Sequence, residues 1–190
     1  SARPSSAAGP AARFNIHLPT ESLLRNNLQG VLPIALSPDA SRIAYVGRPP
    51  EGRNQVFIRR MDRITPEPVP GTEDAILPFF SPDGEWLAFV SGGRLKKVPL
   101  GGGPPIVIGD TPDPRGASWG DGGKILIAPN NSGGLFRIPA AGGAFEPAST
   151  PDLARKEDGH RWPRLLPGGQ AALLSVQPQS GRESQRSIDV

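Results

Sequence analysis

The 190-residue chain has no cysteine, one methionine, one tyrosine and two histidines. Disulfide scaffolds, cysteine-ligated zinc and thiol catalysis are therefore excluded. Aromatic residues make up only 6%. No apolar run approaches the roughly 18 residues of a membrane-spanning helix, so no direct membrane insertion is expected. Neither sign of charge dominates, since 21 Lys+Arg against 18 Asp+Glu leave a net +3. The densest basic cluster, Arg59, Arg60 and Arg63, is interrupted by Asp62 and followed by Glu67, Glu73 and Asp74. A nucleic-acid footprint needs a concentrated basic face with stacking aromatics, so no nucleic-acid partner is expected. The cluster reads instead as a solvated, mixed surface.

What the chain has in quantity is glycine and proline, 24 of each, together with 36% hydrophobic residues that fall in short bursts. This is the profile of a turn-rich all-β protein rather than a helical bundle. Residues 1–12 (SARPSSAAGPAA) contain no apolar core of a signal peptide and read as a flexible linker or cloning remnant. The missing initiator methionine suggests excision from a longer protein.

Four turn-like strings recur: Ser37-Pro38-Asp39-Ala40, Ser81-Pro82-Asp83-Gly84, Trp119-Gly120-Asp121-Gly122 and Leu166-Pro167-Gly168-Gly169, spaced 44, 38 and 47 residues apart. A period near 40 residues is that of a four-stranded propeller blade. Each turn lies between two apolar runs, such as Pro78-Phe79-Phe80 and Trp86-Leu87-Ala88-Phe89-Val90. Proline presets the first corner, aspartate bonds the backbone two residues on, and glycine accepts positive φ. A third strand follows in every unit: Val56–Arg59, Leu95–Val98, Leu135–Ile138 and Ser187–Val190. Pro68–Pro70, Ile106–Ile108 and Phe145–Ala148 are candidate outer strands, where prolines suit an edge. The expected fold is thus an all-β, partial β-propeller of about three and a half to four blades of four-stranded antiparallel sheets. The blades fall at approximately 13–76, 77–114, 115–158 and an incomplete 159–190. Phe14-Asn15-Ile16-His17-Leu18 alternates and is a candidate strand for closing the ring.

Ser81-Pro82-Asp83-Gly84-Glu85-Trp86-Leu87-Ala88-Phe89 resembles the repeat signature of TolB-type, WD40-like bacterial propellers. Gly71–Ala75 with Pro78–Gly84, Leu95–Pro99, Gly134–Gly143 and His160-Arg161-Trp162-Pro163 resemble more narrowly the C-terminal propeller of bacterial serine/threonine protein kinases. The resemblance covers about Phe14 to Val190 and none of a kinase's own signatures. It implies six-bladed rings in the family, a non-catalytic module within a larger protein, and an extracytoplasmic or periplasmic location.

Catalytic signals are weak. Gly116-Ala117-Ser118-Trp119-Gly120 matches the nucleophile-elbow string, but that motif needs a strand, a turn at serine and a helix. Here Ser118 aligns with Phe80 inside an inner strand, and another strand follows. His17 and His160 stand far apart, so no zinc site is expected. Glu157-Asp158 beside His160 offers too few oxygens for calcium and reads as a solvated interblade loop. Gly101-Gly102-Gly103 precedes two prolines and reads as a hairpin rather than a phosphate cradle. No catalytic residue, metal or cofactor is expected. The best candidate ligand or partner contact is His160, Arg161, Trp162 and Arg164, the densest polar and aromatic segment, placed at a mouth of the central channel. The expected partner is a protein or peptide, with self-association through open blade edges. The alternatives are the substrate-filtering propeller of a prolyl-oligopeptidase-like hydrolase and a free periplasmic TolB-type binding protein.

Overall fold

Runs such as Leu87-Ala88-Phe89-Val90, in which every residue is buried, belong to strands covered on both faces rather than on one. The computed structural model describes residues 23–24, 33–49, 51–179 and 187–189. The linker 1–12, the closing-strand candidate Phe14–Leu18, His17 and Val190 lie outside the described residues. Four antiparallel sheets follow one another along the chain. The first contains β1 (Leu23–Leu24), β2 (Ile34–Leu36), β3 (Arg42–Arg48), β4 (Gln55–Arg60) and β5 (Glu67–Pro68), with β1 and β2 both paired to β3. The second is β6 (Ile76–Phe80), β7 (Trp86–Ser91), β8 (Arg94–Pro99) and β9 (Ile106–Asp110). The third is β10 (Ala117–Trp119), β11 (Lys124–Ile127), β12 (Phe136–Pro139) and β13 (Glu146–Pro147). The fourth is β14 (Glu157–Leu165), β15 (Ala172–Pro178) and β16 (Ser187–Asp189).

Successive inner strands β2, β6, β10 and β14 lie side by side, as the blades of a propeller require. The core accordingly sits between blades. Val46, Val56 and Val69 of the first meet Leu87, Phe89 and Val98 of the second. The opposite face of the second, with Leu77, Val90 and Leu95, meets Ile125, Ile127 and Ile138 of the third. Leu126 and Leu135 then face Leu165 and Leu174 of the fourth. The chain is all-β, a partial β-propeller.

Hydrogen bonding defines the repeat more sharply than residue identity. The Ser37, Ser81, Gly120 and Leu166 amides each close the inner turn, onto Arg42 O, Trp86 O, Lys124 O and Ala171 O at 2.9 Å. The third repeat is therefore one residue out of the expected register. Gly120, not Trp119, stands where Ser37 and Ser81 do, and its turn is one residue shorter. Ser118 consequently matches Phe79 rather than Phe80. Two outer strands are also shorter than expected, at Glu67–Pro68 and Glu146–Pro147.

In the first two turns a serine hydroxyl donates to aspartate and accepts the amide that opens the next strand. Ser37 Oγ donates to Asp39 at 2.6 Å and accepts from Arg42 N–H at 2.9 Å. Ser81 bonds Asp83 and the Trp86 amide in the same way. The hydroxyl and amide donors hold both carboxyls well below the usual aspartate range.

Three of the four inner strands also have a left-handed residue four positions before the turn. Leu77 (φ 52°), Gly116 (φ 106°) and Trp162 (φ 54°) occupy matching places, and bulges interrupt the pairing of β6 and β14 there. Along the outer edge of the first blade, Val69 N–H turns inward to Val56 O at 2.8 Å. In an extended chain, alternate nitrogens then point outward, and those positions are Pro66, Pro68 and Pro70.

Ala40 and Gly84 share one turn position at φ 57° and φ 71°. A Cβ in that region costs about 1–2 kcal/mol, part of which glycine offsets by its looser unfolded chain. Ala40→Gly is expected to raise stability by up to about 1 kcal/mol and Gly84→Ala to lower it by a similar amount. Urea unfolding monitored by tryptophan fluorescence checks both signs.

Candidate functional site

The segment 157–164 is structural in most of its side chains. His160 is buried at 9% exposure. Its Nδ1 lies 2.7 Å from Ser149 Oγ and its Nε2 lies 3.3 Å from Glu157 Oε2. A carboxylate can only accept, so Nε2 donates to Glu157, and in that tautomer Nδ1 accepts from the Ser149 hydroxyl. Ser149 Oγ in turn accepts from Leu135 N–H at 2.9 Å. Glu157 Oε2 also accepts from Asp152 N–H at 2.6 Å, while Asp152 caps the short 3-10 turn Leu153–Arg155. The expected solvated loop at Glu157-Asp158 is thus the start of β14. The Glu157 side chain is 13% exposed because it closes the crossover between the third and fourth blades.

Serine, histidine and a carboxylate in line are the parts of a hydrolytic triad, whose nucleophile must face a cleft where its hydroxyl can meet a carbonyl. Here the Ser149 oxygen accepts from the Leu135 amide. Ser118 is likewise committed, buried at 7% exposure with its hydroxyl accepting from Leu165 N–H at 3.1 Å. The glycines around it have their own reason. A Cβ on Gly116 would fall 2.7 Å from Trp162 Cα, and one on Gly120 would fall 2.9 Å from Leu165 Cδ1. The elbow-like string is the contact line between two inner strands.

The other candidate residues divide. Arg161 donates to the Asn131 carbonyl through Nε and Nη2, at 3.0 and 2.6 Å, and reaches Gln177 at 3.1 Å. Trp162 gives its N–H to Arg115 O at 2.7 Å and packs against the core between the second and third blades. Arg164 alone of the four is exposed. The four share β14, and their hydrogen bonds and packing go to different neighbours.

A cleft of about 370 Å³ opens between the outer parts of the first and second blades. Ile58, Val69, Val98 and Leu100 form its apolar part, and Arg42, Arg60 and Arg63 add guanidinium groups. Strand alternation puts Ile58 and Arg60 on the same face of β4, and the β8–β9 hairpin at Gly102-Gly103 supplies the opposite wall. The hairpin expected at Gly101–Gly103 is present and borders the cleft. Arg60 binds Asp62 through two nitrogens, at 2.9 and 2.7 Å, and holds its carboxyl down at about 2. Arg63 reaches Glu67 at 3.3 Å, and Arg42 Nη1 donates to Gly84 O at 3.2 Å. The basic cluster that reads as plain surface in the sequence therefore lines a concavity. Only the neighbouring blade, some 40 residues on, makes it one.

Among the described residues no three histidine, aspartate or glutamate side chains gather as a metal site. No described helix is long and apolar enough to cross a membrane.

Ser149→Ala and His160→Ala are each expected to lower stability by about 1–3 kcal/mol, because each breaks the part-buried bond between the two side chains. The double variant should lose clearly less than the sum, since both act through one bond. A double-mutant cycle in urea measures this.

No known family profile matches the chain, and no curated protein does. Solved structures do. TolB from Acinetobacter baumannii superposes with a TM-score of 0.67 at 20% identity, over 83% of this chain and 40% of that one. Hydrazine synthase from Kuenenia stuttgartiensis gives 0.64 at 17%, over 91% of this chain and 49% of that one. Puromycin hydrolase gives 0.59 at 14%, over 83% of this chain and 26% of that one. The chain spans half or less of each of these proteins, and what it shares with them is the fold of a TolB-like β-propeller.

Proposed function

We propose that the chain is a non-catalytic propeller module for protein–protein interaction or ligand sensing, and that it belongs to a larger bacterial protein such as a receptor-type serine/threonine kinase. The observation that carries this reading is the cleft between the first two blades, a preformed apolar concavity with guanidinium groups at its rim. Rigid blades that present such a surface suit recognition. The kinase context and an extracytoplasmic location rest on the resemblance of the repeat strings alone. The likeness to puromycin hydrolase favours a second reading, in which the propeller filters substrates for a hydrolase domain outside this chain. A free TolB-type binding protein is the third.

The purified chain is expected to leave nitrophenyl esters and aminoacyl nitroanilides uncleaved. Cleavage that Ser149→Ala or Ser118→Ala abolishes would overturn the non-catalytic reading.

Self-association has its own support. Ile34 and Leu36, on inner strand β2, are 48% and 56% exposed. They share a sheet face with Ile43 and Tyr45, their partners in the β2–β3 pairing. Exposed apolar side chains on this strand favour a second copy. Light scattering should give more than the 20.0 kDa of one chain, reduced toward it by Ile34→Asp with Leu36→Asp. A single-chain mass for the unaltered protein would exclude self-association.

A further inference from the structure

We infer that the cleft between the first two blades binds a short acidic, aliphatic peptide segment, seated by its side chains and carboxylates rather than by strand addition. This rests on the reading of the chain as an interaction module.

Three observations lead to it. The volume of about 370 Å³ is at the small end for a binding pocket, enough for a few side chains and too little for a folded element. Ile58, Val69, Val98 and Leu100 offer the apolar contact. The polar rim is cationic in excess, three arginines against Asp62 and Glu67. Each guanidinium keeps unused donors: Arg60 spends Nε and Nη2 on Asp62, Arg63 spends Nη1 on Glu67, and Arg42 spends Nη1 on a carbonyl. The Arg60 and Arg63 ion pairs are exposed, at 48% and 59% for the arginine side chains. Such pairs are worth little and yield readily to an incoming carboxylate.

The edge strand beside the cleft selects how the segment binds. With Pro68 at the outward position of β5 and Pro66 and Pro70 flanking it at the same alternation, this edge offers no outward amide donor to a new strand, so a β-addition ligand gains no ladder there. What remains to read a partner is the pairing of carboxylates with guanidinium groups over an apolar floor.

The test uses the full chain and a fluorescein-labelled hexapeptide of alternating glutamate and leucine, followed by anisotropy. Arg60→Glu combined with Arg63→Glu alters two exposed side chains, and circular dichroism verifies that the variant folds. The expected result is saturable binding that this variant weakens at least about tenfold. Replacing the peptide's glutamates by glutamine, or its leucines by serine, should weaken it comparably, and about 0.5 M NaCl should weaken it further. Absence of saturation up to about 1 mM, or equal binding by the variant or by the glutamine peptide, would overturn the assignment. Binding lost in Arg164→Glu but kept in the Arg60/Arg63 variant would place the site at the fourth blade, leaving the interaction module standing and the cleft refuted. Failure of the module reading shows separately, as serine-dependent cleavage in the hydrolysis assay.

Discussion

Close approach of neighbouring blades is the constraint on which the rest of the structure depends. Most of the apolar core is shared between neighbouring sheets, and among the described residues the cluster of Ile43, Tyr45 and Phe57 with Met61 lies within the first sheet alone. Leu87 and Phe89, fully buried, face the first blade, while Ala88 and Val90 face the third. That double duty explains why second strands are continuous apolar runs and why inner strands carry small residues where backbones meet. Gly116 against Trp162 and Gly120 against Leu165 are such places, leaving 2.7 and 2.9 Å for a Cβ. Large side chains at these points would hold the blades apart and open the core to water.

The polar groups follow from the same geometry. Where two blades meet at their ends, the chain must cross from the outer strand of one to the inner strand of the next, and its amides leave the ladders. Ser149 accepts from the Leu135 amide and Glu157 from the Asp152 amide, His160 bridges those two side chains, and Arg115 and Arg161 bind the Asn131 side chain and carbonyl nearby. The cleft is the complement of this: outer parts of the first two blades diverge, and the gap is lined with whatever each blade shows at its rim.

Much of the fold is legible because local chemistry and global packing agree. Ser37-Pro38-Asp39 and Ser81-Pro82-Asp83 form the turns their residues favour, and the paired apolar runs take the inner and second strands. The third repeat misleads by one residue because Gly120-Asp121-Gly122-Gly123 fits a turn in more than one register, and only the Gly120 amide bond to Lys124 O decides it. The functional surface is harder to read. Arg42, Arg60, Val69 and Leu100 come from separate stretches, and each alone is an ordinary rim residue. Their convergence is a property of how two blades splay, which no single stretch encodes. Conversely, His160, Arg161 and Trp162 look like a site because they are adjacent in sequence, yet β-strand alternation and the bulge before Pro163 send them to different neighbours.

The proline-studded edge of the first blade bears on how such a protein tolerates crowding. A β-edge with free amides is a seed: two copies that drift together can stitch into one continuous sheet, and a dense population turns fibrous. At 66, 68 and 70 the nitrogen that would start the stitch carries a ring instead. Copies tethered side by side can press these rims together, separate again, and remain individual molecules.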